Sequence, residues 1–247
     1  MAGGQEAVKH MEDHLNPFVM QIKASRKERH GTVDLYLPEA DEPRPAIVFV
    51  HGGPLPAAVT PRPHEWPVFA GYGAMAAAAG VLGAVVAHRL HTPADYPLVA
   101  AQVQQAIDTV RADPRADADR VALWFFSGGA LLMADWVNRP PDWLRCVAAT
   151  YPVLAPLPGW PVEPRFHPTT TVGDCGKMPI VLTRAGREHE LIAAGVQAFV
   201  DAADAANCRL EIIDVPNGRH GFDYLDPGEE SRDAVETALG TVLSSLA

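Results

Sequence analysis

Three residue types that together can activate a hydroxyl group occur in this chain in the order serine, acid, histidine: Ser127, Glu188 and His220. A serine hydroxyl is a weak nucleophile at neutral pH, so it needs an imidazole to accept its proton and a carboxylate to hold that imidazole in one tautomer. Each of the three residues lies just past a run that is typical of a buried strand. We therefore predict a catalytic triad at the edge of a sheet where successive parallel strands end.

Ser127 ends the apolar run 121–126 and is followed by Gly128, Gly129 and a helix-forming sequence. This layout resembles the nucleophile elbow of the α/β-hydrolase family, in which a strained turn between strand and helix exposes the serine. The chain departs from the family pattern at Phe125, which stands where the first glycine of G-x-S-x-G is expected. We predict that this ring packs in the core and does not set the position of Ser127.

A second motif, His51-Gly-Gly-Pro54, directly follows the apolar run 46–50. It is similar to the oxyanion-hole loop of esterases and of prolyl-oligopeptidase-like hydrolases. Glycine suits this role because backbone N–H groups must approach a developing oxyanion with no side chain in the way, and proline has no N–H to donate. The resemblance assigns the oxyanion hole to Gly53 and Gly128, with Gly52 as the alternative to Gly53.

The remaining two triad assignments come from short motifs near the C-terminus. His220 lies in Arg-His-Gly-Phe-Asp, which resembles the histidine loop of dienelactone-hydrolase-like enzymes. Glu188 ends Ala-Gly-Arg-Glu, which resembles the family's A-G-x-D and places a glutamate where an aspartate is usual. Glu190 and, less favoured, Asp174 are the alternatives for the acid.

Strand and helix patterns alternate along the chain. The predicted strands are 32–37, 46–50, 81–87, 121–126, 146–151, 179–183 and 209–215, and the predicted helices are 68–79, 96–112, one after Gly128, 191–206 and 226–246. This alternation favours right-handed crossovers and an α/β fold of the α/β-hydrolase type, with a mostly parallel central sheet and helices on both faces. We expect one domain over residues 1–247, with 1–31 as an N-terminal extension.

Residues 152–178 are rich in proline and glycine and show no periodicity, so we expect a lid or pocket wall there. Trp160 and Phe166 are the predicted substrate-binding residues of this segment, and anchoring of the loop is the alternative for both.

Composition excludes several functions. A formal net charge of −10 gives no electrostatic footprint for nucleic acid or for an anionic membrane surface. No apolar run reaches the roughly 20 residues needed to cross a bilayer, and no secretory signal is visible. We therefore expect a cytoplasmic protein with reduced thiols at Cys146, Cys175 and Cys208. We expect no cofactor and no metal, because His88 and His91 lack carboxylate or cysteine companions.

The resemblance implies a serine hydrolase that cleaves small carboxylic esters through an acyl-enzyme. A dienelactone hydrolase proper would carry cysteine at position 127, so Ser127 favours a carboxylesterase. The alternatives are a catalytically silent binding protein of the same fold, and a lactone hydrolase or acyltransferase that uses the same triad. The oligomeric state, the pathway and the acyl and alcohol groups of the substrate are left open by the sequence.

Overall fold

An eight-stranded sheet forms the centre of the molecule, whose structure is a computed structural model that describes residues 13–23 and 25–247. The strands in chain order are β1 (Arg26–His30), β2 (Val33–Leu37), β3 (Arg44–Val50), β4 (Leu82–Val86), β5 (Ala116–Phe126), β6 (Leu144–Thr150), β7 (Ile180–Arg187) and β8 (Leu210–Arg219). Their order in space is β1-β2-β4-β3-β5-β6-β7-β8. The pairs β1–β2 and β2–β4 are antiparallel and the others are parallel. The predicted mostly parallel α/β sheet is confirmed.

Helices cover both faces of this sheet. They are α1 (Pro67–Ala78), α2 (Tyr96–Ala112), α3 (Ala134–Val137), α4 (Pro168–Thr171), α5 (Glu190–Ala205), α6 (Phe222–Leu225) and α7 (Glu229–Leu246). Buried side chains of α1 and α7 pack on one face, and those of α2, α3 and α5 pack on the other. Within the described residues, none of these helices combines the length and the apolar character that a membrane span requires.

Strand β5 shows why the central strands read as continuous apolar runs. Residues 121–126 are all buried, because both faces of the sheet are covered by helices. Side chains alternate between the faces: Leu123 and Phe125 pack with α2 and α3, whereas Trp124 and Phe126 pack with α1. The strand therefore packs against both helix layers and ends directly before Ser127.

The sequence analysis missed the first strand and shortened the last two. β1 consists of Arg-Lys-Glu-Arg-His and carries no apolar residue. It is an edge strand held by ladder pairing with β2 and by ion pairs such as Lys27 and Arg29 with the buried Asp34. β7 and β8 run on to Arg187 and Arg219, past an irregularity in their pairing between Ala185 and Arg187. The residues at these strand ends form no apolar run, so the apolar pattern of the sequence did not predict the extension.

The segment 152–178 packs down on the core. Val153, Leu154 and Val172 are buried in the cluster beneath α3 and α5, and the short helix α4 contacts both of those helices. Cys175 and Cys208 are paired in a disulfide, while Cys146 is free and buried. The expectation of three reduced thiols is wrong for this pair, because the two cysteines precede the adjacent parallel strands β7 and β8 and so meet at the same edge of the sheet.

Phe125, the residue that departs from the elbow pattern, is completely buried and its ring lies 5.7 Å from that of Trp136 in α3. Its side chain therefore fills the core on the face that α3 covers. Between β5 and α3, the chain forms a seven-residue 3₁₀ helix, Ser127–Met133, in place of the regular helix that the sequence predicts.

We expect Phe125→Ala to lower the free energy of unfolding by about 3–5 kcal/mol, as for other buried phenylalanines. The kcat of the folded fraction should change little, because the ring contacts Trp136 rather than the serine. Denaturant unfolding and ester hydrolysis by the same preparation measure both quantities. A large loss of kcat with an unchanged unfolding curve would show instead that the ring positions Ser127.

Candidate active site

The chain turns sharply at Ser127, where β5 ends. Ser127 has a φ of 50°, in the left-handed region that non-glycine residues enter rarely and often at functional sites. The turn places the serine at the carboxyl end of the sheet and leaves it half-buried at the floor of a cavity. A strained residue at this point is what the elbow motif predicted.

Glycines allow the turn after β5 to pack directly against the loop after β3. A β-carbon on Gly128 would overlap the carbonyl oxygen of Gly53, and one on Gly129 would overlap that of His51. A β-carbon on Gly52 would lie 2.8 Å from the β-carbon of Ser127. Each of these positions must therefore be glycine for the loops to pack as they do.

The three predicted triad side chains lie in one hydrogen-bonded chain. The Oγ atom of Ser127 is 2.7 Å from Nε2 of His220, and Nδ1 of His220 is 2.6 Å from Oε2 of Glu188. The other carboxylate oxygen of Glu188 accepts a hydrogen bond of 2.8 Å from the backbone N–H of His189. With Glu188 ionised, Nδ1 carries the proton and Nε2 is left to accept one from the serine.

The register of the sheet explains why Glu188 and His220 meet. Arg187 pairs with Arg219 across β7 and β8, so the residues that follow them leave the sheet side by side. The side chain of Glu188 is only 6% exposed. Glu190, the alternative acid, is the exposed first residue of α5 and has no contact with His220 among the contacts described.

Gly53 and Gly128, the predicted oxyanion donors, lie against each other beside Ser127. Gly128 is in the first turn of the 3₁₀ helix, where backbone N–H groups have no partner within the helix. Its carbonyl oxygen accepts a hydrogen bond of 2.7 Å from the buried hydroxyl of Tyr96, which fixes the orientation of the following peptide. Gly52 and Gly53 both border the cavity.

The model of the dienelactone hydrolase family matches residues 83–247, which is more than half of the chain. The chain belongs to the dienelactone hydrolase family. No curated protein matches it by sequence.

Among solved structures, this member of the dienelactone hydrolase family is similar in fold to several esterases. EstE1, a thermophilic carboxylesterase cloned from a metagenomic library, is 16% identical with a TM-score of 0.74, and the match covers 98% of this chain and 97% of that one. Thermogutta terrifontis esterase 2 is 18% identical with a TM-score of 0.66, over 91% and 94% of the two chains. Esterase Est22 is 16% identical with a TM-score of 0.72, over 97% and 88%.

The dienelactone hydrolase family member has a cavity of about 770 Å³ above Ser127. The apolar part of its wall includes Leu55, Val59, Trp66, Phe69 and Phe126. The polar rim is formed by Asp13, His14, Arg187, His189, Arg219 and Tyr224. The sequence analysis missed these residues, because they come from five separated segments and carry no common motif.

The two residues predicted to bind substrate do not line this cavity. Phe166 is completely buried and packs 5.8 Å from the ring of Tyr96, so its assignment to the pocket needs correction: the segment 152–178 folds onto the core. Trp160 is half-buried, and its Cη2 atom lies 3.5 Å from the place where a β-carbon on Gly128 would stand. Neither ring is among the described residues that line the cavity.

Two buried histidines support the loop that contains Gly52 and Gly53. The rings of His51 and His88 stack with centroids 3.5 Å apart. Nδ1 of His51 donates to the carbonyl of Gly52 at 2.7 Å, and Nε2 of His88 donates to the carbonyl of His51 at 3.0 Å. Burial, together with the neighbouring ring, lowers the pKa of His51 well below its usual value, and burial lowers that of His88 to about 4.

These histidines make the fold sensitive to acid. Because both rings stay neutral in the folded protein, the unfolded chain binds more protons than the native one once the pH falls below about 6.5. The stabilisation is therefore present above pH 6.5 and is lost as the pH falls towards 4. For His88, the free energy of unfolding should decrease by roughly 2 kcal/mol between pH 7 and pH 5, and the contribution of His51 has the same sign.

We expect His88→Gln, which keeps a donor for the His51 carbonyl but does not titrate, to flatten this decrease. Denaturant unfolding of wild type and variant at several pH values between 7 and 5 measures the difference. The buried Asp223 has a raised pKa, so its protonation increases the free energy of unfolding as the pH falls. This contribution is present in both proteins, and the difference between their curves therefore isolates His88. Parallel curves for the two proteins would contradict the assignment.

Proposed function

We propose that the protein is a serine hydrolase that cleaves carboxylic esters through an acyl-enzyme intermediate. The observation that carries the proposal is the hydrogen-bonded chain from Ser127 through His220 to Glu188, at the floor of a cavity with an apolar wall. Membership of a hydrolase family supports a reaction of the hydrolytic type.

The reaction begins when the Ser127 oxygen attacks the ester carbonyl carbon and its proton passes to Nε2 of His220. The carboxylate of Glu188 holds the imidazole by its Nδ1–H and stabilises the positive charge that forms on it. The negative charge on the carbonyl oxygen is stabilised by the N–H of Gly128 and by that of Gly53 or Gly52, at about 2.7–4 kcal/mol for each donor. His220 then returns the proton to the leaving alcohol, and water removes the acyl group by the same steps.

The cavity indicates which esters fit. Trp66, Phe69 and Phe126 form an aromatic wall on one side of Ser127, which suits an apolar acyl or alcohol group. The volume of about 770 Å³ exceeds what an acetyl ester occupies and lies within the range of ligand pockets. A lactone fits the same site, because it presents the same carbonyl to the same nucleophile.

A solved structure with a similar fold supports an activated hydroxyl group as the nucleophile. Thermogutta terrifontis esterase 2 has been described as phosphoramylated by tabun and as phosphorylated by paraoxon. An organophosphate reacts with an activated hydroxyl at an esterase site, so the same reactivity is proposed for Ser127. We further propose a small-molecule ester as the partner, with no cofactor.

We expect Ser127→Ala and His220→Ala each to abolish the hydrolysis of short p-nitrophenyl esters. Both side chains act in one step, so the double variant should lose little more than either single one. Additive losses in the kcat/KM of the three variants would contradict a shared mechanism.

The acid is tested by a matched pair two residues apart. Glu188→Gln should lower kcat by roughly two orders of magnitude or more, because the imidazole loses the carboxylate that fixes its tautomer. Glu190→Gln removes the same charge from an exposed position on α5 and should leave kcat within a factor of about two. The exchange of these two outcomes would move the role of the acid to Glu190.

A further inference from the structure

A second carboxyl group is buried three residues beyond His220. The side chain of Asp223 in α6 is fully shielded from solvent. Its carboxyl group accepts a hydrogen bond of 2.9 Å from the hydroxyl of Tyr72 and is bridged by the hydroxyl of Tyr151, 3.0 Å from each of its oxygens. No step of the proposed mechanism uses this group, although a buried carboxyl is costly unless it is fully hydrogen-bonded.

One of the two tyrosines connects this carboxyl group to the imidazole. The ring of Tyr151 lies 4.9 Å from that of His220, and the ring of Phe222 packs edge-on against the Tyr151 ring at 5.6 Å. Tyr151 follows β6 with a φ of 37°, and its backbone N–H donates to the carbonyl of Thr183 at 2.9 Å. The Tyr151 ring is thus held at one end by the sheet and at the other by Asp223.

The backbone of Asp223 is fixed as well. Its carbonyl oxygen accepts a hydrogen bond of 2.8 Å from the N–H of Val19, in the segment that precedes β1. Phe18, the neighbour of Val19, packs on Tyr72 at 4.7 Å. The histidine loop is therefore tied to α1 and to the N-terminal segment through one residue.

The charges around Asp223 point to an electrostatic role. The titratable groups that face it are Tyr72 from α1, Tyr224 from its own helix, and Tyr151 and His220, which directly follow β6 and β8. Burial raises the pKa of Asp223 to about 7, while the two tyrosine hydroxyls and the positive charge of His220 oppose that rise. An Asp223 carboxylate and an imidazole that has taken the proton of Ser127 therefore attract each other through space.

We propose that Asp223 is a positioning residue for His220: it holds the Tyr151 ring against the imidazole and supplies a second negative charge when His220 takes the proton of Ser127. The inference rests on the proposed function, since it concerns the same proton transfer from Ser127 Oγ to His220 Nε2. Glu188 orients the imidazole by direct contact, and Asp223 acts on it through Tyr151 and through space.

The first measurement follows the titration of the His220 imidazole by NMR, with His220→Ala to identify its signals. In Asp223→Asn the midpoint of this titration should move to lower pH by about 0.5–1 unit, because a nearby negative charge has been removed. The control is Asp34→Asn, which removes an equally buried carboxylate from β2 and should leave the midpoint unchanged. An unchanged midpoint in folded Asp223→Asn overturns the proposal.

The second measurement is the pH profile of ester hydrolysis. Asp223→Asn should lower kcat about tenfold or more above pH 7 with KM within about twofold, since a small misplacement of a reacting group is costly. The ratio of wild-type to variant kcat should rise with pH as the wild-type carboxyl group ionises. A constant ratio at every pH would mean that Asp223 has only a structural role and would overturn the proposal.

The two measurements separate this inference from the proposed function. If the wild type hydrolyses no ester but Asp223→Asn still shifts the His220 titration, the function fails and the coupling stands. If hydrolysis depends on Ser127 but neither the titration nor the kcat ratio responds to Asp223→Asn, the coupling fails and the function stands.

If Asp223→Asn does not fold, variants of the two tyrosines test the proposal instead. Tyr72→Phe and Tyr151→Phe each remove one donor to the carboxylate, so Asp223 stays protonated to higher pH and the His220 midpoint moves to lower pH in both. Tyr151→Phe should in addition lower kcat, because its ring loses the tether and faces the imidazole. An unchanged His220 midpoint in both variants overturns the proposal.

Discussion

The close approach of two backbone loops above the sheet is the constraint on which the rest of the site depends. At the elbow, Gly128 and Gly129 lie so near the loop after β3 that any side chain would overlap its carbonyl oxygens. This contact holds Ser127 in a left-handed conformation that would otherwise be unfavourable. It also packs the loop that contains Gly52 and Gly53 directly against Ser127 and Gly128.

Polar groups buried around this contact keep it in place. The hydroxyl of Tyr96 holds the carbonyl of Gly128, and the stacked histidines at 51 and 88 hold the carbonyls of the opposite loop. A buried carbonyl without a partner costs about 1–3 kcal/mol, so each of these hydrogen bonds favours the observed loop conformation. The same arrangement makes the stability of the fold sensitive to acid, because a positive charge on a buried histidine is unfavourable.

The parts of the structure that the sequence predicted are those governed by local pattern. Strands buried on both faces, such as β3 and β5, read as continuous apolar runs, and the residues that follow them were correctly placed at one edge of the sheet. The meeting of Glu188 and His220 was expected from their positions after neighbouring strands, although the register of Arg187 with Arg219 that brings them together was not visible.

What the sequence did not predict depends on long-range packing. β1 has no apolar residue and exists because β2 offers it an edge. Phe166 looked like a pocket residue because its loop has no periodicity, yet that loop folds onto the core. Asp223 sits in the motif that identified His220, but nothing in the motif shows that Tyr72, 151 positions earlier in the chain, donates to it.

The central claim is that Ser127 is an activated nucleophile, and its most direct test is reaction with a fluorophosphonate followed by intact-mass and peptide mapping. This probe requires no knowledge of the substrate. The account predicts one covalent adduct per folded chain, located on Ser127, absent from Ser127→Ala and strongly slowed in His220→Ala. Folded wild-type protein that forms no adduct, or that forms one on another residue, would contradict it.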